Sequence, residues 1–321
     1  MQDARTKGPR TVEYDRFGPW VDEVRAPEDV PPLFRDHPLE LGGDSLVLKV
    51  PRNIPRRDAS PDMDLYDHVL VLAGDALTVL TRQGADGLAA EPPATGYTTT
   101  TLRLADVAAV RDSVSVLDAR LEVLGRDGGS IVVPYSGSSR ARVEQLVATL
   151  RDRLPARAPT AAARALVTAA QAEPVGEPDL DHPDRALVAD YRAVARELPG
   201  MTAWAWHGRA VVAPRVEGAA GAWQRLVHAI SPMTVHGGVL AGDDVAVEVI
   251  GRHASMVRGK APELSASRLV VPLGGLDAIE LADHPRYSAV VSATLRAGDA
   301  VSRLDVPEGS ATHRLLTAAA G

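Results

Sequence analysis

The amino-acid sequence predicts a mainly β chain in which two blocks of short strands each end in one helix. Three observations carry this expectation. Apolar residues come in short, partly alternating runs, broken by Gly and Asp at tight connections. A helical period follows Ser138/Ser139 and another runs over Thr312–Ala320. Turns, prolines and the closing helix also return in the same order later in the chain, as expected of a duplicated unit.

Residues 1–44 are rich in Pro, Gly and charge and hold a few large apolar residues, Phe17, Trp20 and Phe34. They predict an irregular arm that packs partly on the first domain. Strand character begins at Ser45 with "SLVLKV". In "HVLVLAGDALTVLTR" two apolar runs flank Gly74-Asp75. That pair suits a type II′ hairpin, because glycine takes the positive φ of the first turn position. "TTTTLRL", "VAAVRD" and "ARLEVLGRDGGSIVVPY" continue the strands, with a second tight turn at Asp127-Gly128-Gly129. Ser138 or Ser139 can cap a helix in which Val143, Leu146, Val147, Leu150 and Leu154 share one face. Residues 45–154 are therefore the first domain. Residues 155–208 are an Ala- and Pro-rich linker with helical pieces, including Asp184–Leu198, and the start of a second unit. Within "TAWAWHGRAVVAPR" the period of two places Trp204 and Trp206 on the same side of a strand. Residues 209–321 are the second domain.

Composition narrows the function. Hydrophobic residues make up 45% and charged residues 24%, which supports a packed core. Aromatics reach only 4%, so that core is built from Val, Leu, Ala and Ile. The net charge of −7 argues against nucleic acid as a partner and against general attraction to an anionic bilayer. The absence of cysteine removes disulfides, thiolate zinc sites and cysteine nucleophiles. No apolar segment resembling a signal peptide follows the polar start, and no apolar run nears the ~20 residues of a membrane helix. A cytoplasmic protein is expected. HExxH, GxSxG, GxxxxGK and GxGxxG are all missing, so no metal, no cofactor and no enzymatic activity are expected.

The internal correspondence centres on "LAGD", at Leu72–Asp75 and again at Leu240–Asp243. Val50–Asn53 faces Ala213–Val216, and Ser60-Pro61-Asp62-Met63 faces Ser231-Pro232-Met233. The turn at Asp127-Gly128 faces Gly298-Asp299, and each block, of roughly 110 residues, ends in a helix. A run of antiparallel strands, an "LADVAAV" segment, an Asp-Gly hairpin and one closing helix resembles the bacterial pleckstrin-homology-like (PH-like) domains. The chain is also similar to tandem PH-like proteins of unknown function from actinobacteria. The resemblance implies two strongly bent antiparallel β-barrels or sandwiches, each plugged by its C-terminal helix. It implies binding of lipids, peptides or proteins rather than catalysis.

The densest charge lies in "RRDASPDMDLYDHVLVLAGD" and just before it. In PH-like folds the loop between the first two strands often carries basic residues for headgroups, and Lys49, Arg52, Arg56 and Arg57 fall there. Asp58, Asp62, Asp64 and Asp67 follow directly, so the loop is neutral. That balance favours a surface loop of Arg–Asp pairs, or a protein-binding role, over headgroup binding. "DMDLYD" meets too few positions of a calcium loop. A weaker candidate is "GRHASMVRGK", whose Arg252, Arg258 and Lys260 could hold a phosphate or an acidic partner. Trp204 and Trp206 would mark a partner surface if exposed, with core packing as the default. The leading expectation is a binding or scaffold protein with a protein or peptide partner. The alternatives are a peripheral membrane protein that recognises anionic lipid headgroups, and a metal-dependent hydrolase using Asp62 and Asp64.

Overall fold

The computed structural model describes residues 11–85, 96–172, 180, 184–215, 231–259 and 265–320. Among these the chain is mainly β, with eighteen strands in four antiparallel sheets. Two compact units divide it. Unit 1 is Met1–Ala105, Leu117–Leu121 and Ile131–Leu154; unit 2 is Asp106–Val116, Glu122–Ser130 and Pro155–Gly321.

In unit 1 the arm opens with helix α1 (Val12–Arg16), whose N-terminus is capped by the Thr11 hydroxyl accepting from Tyr14 N at 3.1 Å. Strands β1 (Asp22–Glu23), β2 (Leu46–Pro51), β3 (Tyr66–Ala73), β4 (Ala76–Arg82) and β5 (Tyr97–Arg103) form one sheet in chain order. The arm supplies Phe17, Val24, Val30 and Phe34 to the core, where they meet Val47, Val69, Val71 and Leu80. At the β3–β4 hairpin Ala73 pairs with Ala76 across Gly74-Asp75. Gly74 has φ +54°, the conformation expected of it.

The expected closed barrel is not found among the described residues. Closure needs the last strand of the meander to pair with the first. Here the sheet order ends at β1 on one side and at β5 on the other. After β5 a short turn at Leu104–Asp106 leads to β6 (Val107–Ser115), which belongs to unit 2 and pairs with β15 there. Strands β7 (Asp118–Gly125) and β8 (Ser130–Ser136) follow, their residues shared between the units. Helix α2 (Arg140–Asp152) then buries Val143, Leu146, Val147 and Leu150. Ser139 occupies its N-cap position but does not cap it. Its hydroxyl accepts from Val21 N at 2.8 Å and donates to Pro19 O at 3.2 Å, pinning the arm instead.

The Ala-rich stretch read as a linker carries α3 (Ala161–Ala172), started by Thr160 Oγ1 accepting from Ala163 N at 3.1 Å. It is more than a linker: Ala163, Leu166 and Ala170 enter the main core of unit 2. Small side chains let this helix lie close to the C-terminal helix that shares the core. Helix α4 (Arg185–Glu197) follows. The unit's strands are β9 (Thr202–His207), β10 (Ala210–Val212), β11 (Met233–Val235), β12 (Gly238–Gly242), β13 (Ala246–Gly251), β14 (Met256–Arg258), β15 (Ser265–Pro272), β16 (Ala278–Asp283), β17 (Val290–Ala297) and β18 (Ala300–Pro307), before helix α5 (Ala311–Ala320). From β6 onward the largest sheet runs β6-β15-β13-β12-β9, beside the smaller sheets β10-β11-β14 and β16-β17-β18.

Trp204 and Trp206 do not share a face. Between Leu240 and Ala241 the β9–β12 register slips, and Trp204 is the residue left over. This bulge puts Trp204 beside Ala205 in the main core, while Trp206 joins Ala203, Val239 and Ile250 beneath α4. Both indoles are buried, so neither is a partner surface.

Candidate functional site

The charged loop of unit 1 does not converge on an open surface. Asp67 accepts from Arg82 Nη2 at 2.7 Å and Nε at 2.8 Å, and Arg52 Nε approaches it at 3.9 Å. Arg52 also donates to Asp64 O at 3.2 Å. Arg56 turns back on the arm, donating to Phe17 O and lying over the Tyr14 ring at 4.5 Å. Arg57 projects into solvent with Asp58 at 3.8 Å, and Asp62 and Asp64 are exposed. The arginines are thus spread over three separate tasks.

A different place gathers chemistry. Unit 2 contains a cavity of about 460 Å³, within the range typical of small-molecule sites. One wall is the large sheet. Register places Arg111 of β6 opposite Leu269 of β15, and Leu269 opposite Val249 of β13, so the three share a face. Ser267 and Gly251 form the next row of the same wall. The loop from Arg252 to Ser255 and Met256 of β14 make a second wall, with Met233 of β11 beside them. Arg286 and Tyr287 come from the β16–β17 connection, and Arg303, Leu304 and Asp305 from β18.

Four histidines line this space: His207, His236, His253 and His284. His207 Nδ1 lies 2.9 Å from Thr312 Oγ1. Burial lowers its pKa to about 4, outweighing a hydrogen bond the ring donates to the His236 backbone and the charge of Asp184, so the ring is neutral. His236 is 4% exposed, and neither of its ring nitrogens has a hydrogen-bond partner. Its pKa is lowered, first by burial and then by Arg209. His284 Nδ1 accepts from the backbone N–H of Arg286 at 3.2 Å and of Tyr287 at 3.1 Å. Its neutral ring therefore carries the proton on Nε2, as a donor. His253 Nδ1 lies 2.6 Å from Ser265 Oγ, which also accepts from His253 N at 3.1 Å. Among the described residues no cluster of three or more His, Asp or Glu could hold a metal.

The "GRHASMVRGK" stretch supplies Arg252 to the cavity, although sequence favoured a solvated loop. Arg252 donates to Ser265 O at 2.8 Å and pairs with Asp190 at 3.7 Å. Arg258 points elsewhere, donating to Ser231 O at 3.2 Å and to Tyr287 Oη at 3.5 Å. Lys260 lies outside the described residues. Sequence reasoning missed Arg111, His236, His284, Arg286 and Arg303, because they sit on four segments that only the sheets bring together. The one legible signal was the excess of His and Arg between residues 251 and 260.

Fold and cavity together define a class: a mainly β chain of two units with a basic, histidine-lined cavity in the second. Set against family models, curated proteins and solved structures, the chain matches none. Among the described residues, no helix is long and apolar enough to cross a membrane.

Proposed function

We propose that the chain is a non-enzymatic binding protein built on two PH-like units, and that the cavity of unit 2 is its binding site. The carrying observation is that cavity: small-molecule in size, with apolar Val249, Leu269, Met233 and Met256 beside arginines and histidines on its lining. Strand order supports the PH-like reading. Strands β2 to β5 are consecutive neighbours, β6 to β8 follow, and α2 ends the run. Later, β9, β12, β13 and β15 are neighbours, β16 to β18 form a meander, and α5 ends the run. The two LAGD tags lie at the β3–β4 and β12–β13 turns, and Asp127-Gly128 and Gly298-Asp299 at the β7–β8 and β17–β18 turns.

A binding role also fits the polar groups nearest the cavity. Ser265 and His253 resemble a nucleophile and its base, but Ser265 is 3% exposed and its hydroxyl is engaged on both sides by His253. A peptide or protein partner, the expectation from sequence, would have to enter through one side chain or terminus; a small molecule fits the space whole.

Ala254→Trp fills the cavity from the loop between β13 and β14. In a thermal-shift screen of chemically diverse small molecules, wild type is expected to be stabilised by some compounds and Ala254→Trp by none of them. Hits that stabilise both proteins equally would refute the cavity as the site.

A further inference from the structure

The charges around the cavity are unevenly committed. Arg252 has Asp190 and the Ser265 carbonyl, and Arg111 also has a partner. The side chains of Arg286 and Arg303, by contrast, form no ion pair or hydrogen bond with any described residue. The carboxylate on the lining, Asp305, is engaged at both oxygens, by the hydroxyls of Ser255 at 2.8 Å and Ser292 at 2.6 Å. Those hydroxyls spread its charge and tie it to the neighbouring strand β17 and to the loop between β13 and β14.

Donors outnumber acceptors as well. His284 presents Nε2–H, and the neutral His236 ring carries one N–H with no partner on either nitrogen. A buried imidazole left unsatisfied costs stability that an acceptor placed in the cavity would return. Guanidinium forks match the planar geometry of carboxylates and phosphates. Met233, Met256 and Leu269 supply an apolar surface beside these donors.

We propose that the cavity takes a small organic oxyanion, a phosphate monoester or a carboxylate with a short apolar body, and that Arg286 and Arg303 hold its charge. The proposal rests on the cavity being the binding site of unit 2. Arg286 and Arg303 come from different elements, the β16–β17 connection and β18, so a bridging anion would tie the two together.

Calorimetric titration of the full chain at low salt tests this with n-butyl phosphate, hexanoate, inorganic phosphate and uncharged hexanol. Both organic anions are expected to bind, hexanol about tenfold more weakly or less. Arg286→Gln combined with Arg303→Gln is expected to weaken both anions about tenfold or more at unchanged melting temperature, since both side chains are exposed. Inorganic phosphate binding as tightly as n-butyl phosphate would overturn the apolar half of the assignment. Three results overturn the anion assignment: hexanol binding as well as hexanoate, anion binding indifferent to the arginine changes, or no anion binding up to ~10 mM. If hexanol binds and Ala254→Trp abolishes it, the cavity remains a binding site and only the ligand chemistry is wrong.

Discussion

His207 is 6% exposed, and a Cβ added at Gly238 of β12 would come within 2.9 Å of its Cε1, so the ring is packed closely against that strand. Its pKa of about 4 lies below the 6.5 of an unfolded histidine. Between those values the unfolded chain takes up a proton that the folded chain refuses. This contribution to stability is therefore full above pH 6.5 and falls as pH drops toward 4, by up to roughly 3 kcal/mol. Urea unfolding at pH 7.5 and 4.5 is expected to show a larger acid loss for wild type than for His207→Gln. Glu248 is a second sensitive residue. It is 0% exposed and accepts from Arg268 Nε at 2.7 Å and Nη2 at 3.0 Å. Glu248→Ala takes that partner from a buried guanidinium and is expected to cost about 3–5 kcal/mol. Glu248→Gln, which keeps an acceptor, is expected to cost less; denaturant midpoints at fixed pH read both. Neither residue stands out in the sequence, where Glu248 is one acid in an apolar run.

At the scale of elements, the β9 bulge sets both the core and one rim of the cavity. By using up Trp204, it leaves His207 at the end of the strand opposite Gly238. Gly242 makes this possible: a Cβ there would stand 2.3 Å from the Trp204 ring. Gly242→Ala is expected to destabilise unit 2 by about 1–3 kcal/mol, and Trp204→Leu in the same chain to recover part of that loss. Thermal melts of the single and double variants measure this. The hairpins behaved differently, because their chemistry is local. Gly298 has φ +65° between Ala297 and Ala300, and Gly74 has φ +54° between Ala73 and Ala76. The helix over Arg140–Asp152 was legible for the same reason: Val143, Leu146, Val147 and Leu150 carry a period that one helix reads alone. A bulge leaves no such period, so the tryptophan pair was read as one face.

For the whole molecule, chain order and spatial grouping part company. Unit 2 needs β6, because β15 pairs with it from Ser265↔Ser115 to Val270↔Val110. The Asp127-Gly128 turn also lies against the Gly298-Asp299 hairpin, where Asp299 N donates to Arg126 O at 2.8 Å. A fragment of residues 155–321 lacks both, and loses Arg111 from the cavity wall as well. It is expected to give poorly dispersed amide NMR spectra and no cooperative melt, whereas residues 106–321 are expected to melt cooperatively. A fragment 155–321 as stable as the full chain would show that β6 is dispensable.

The sequence by itself determined the mainly β class, the tight turns, the helices that close each run, and the charge balance that left the Arg/Asp loop neutral. All of these depend on neighbours within a few residues, whose φ, period and charge are read directly. Tertiary structure alone decided that the described strands form no closed barrel, that the Ala-rich stretch enters the core of unit 2, and that Trp204 and Trp206 part. It also decided where the basic groups gather. Arg111, His236, His284, Arg286 and Arg303 meet because β6, β15 and β13 pair in one register and β18 and the β16–β17 connection come to the same space. Strand pairing between distant segments is set by the burial of whole faces, and no local pattern encodes which faces will meet.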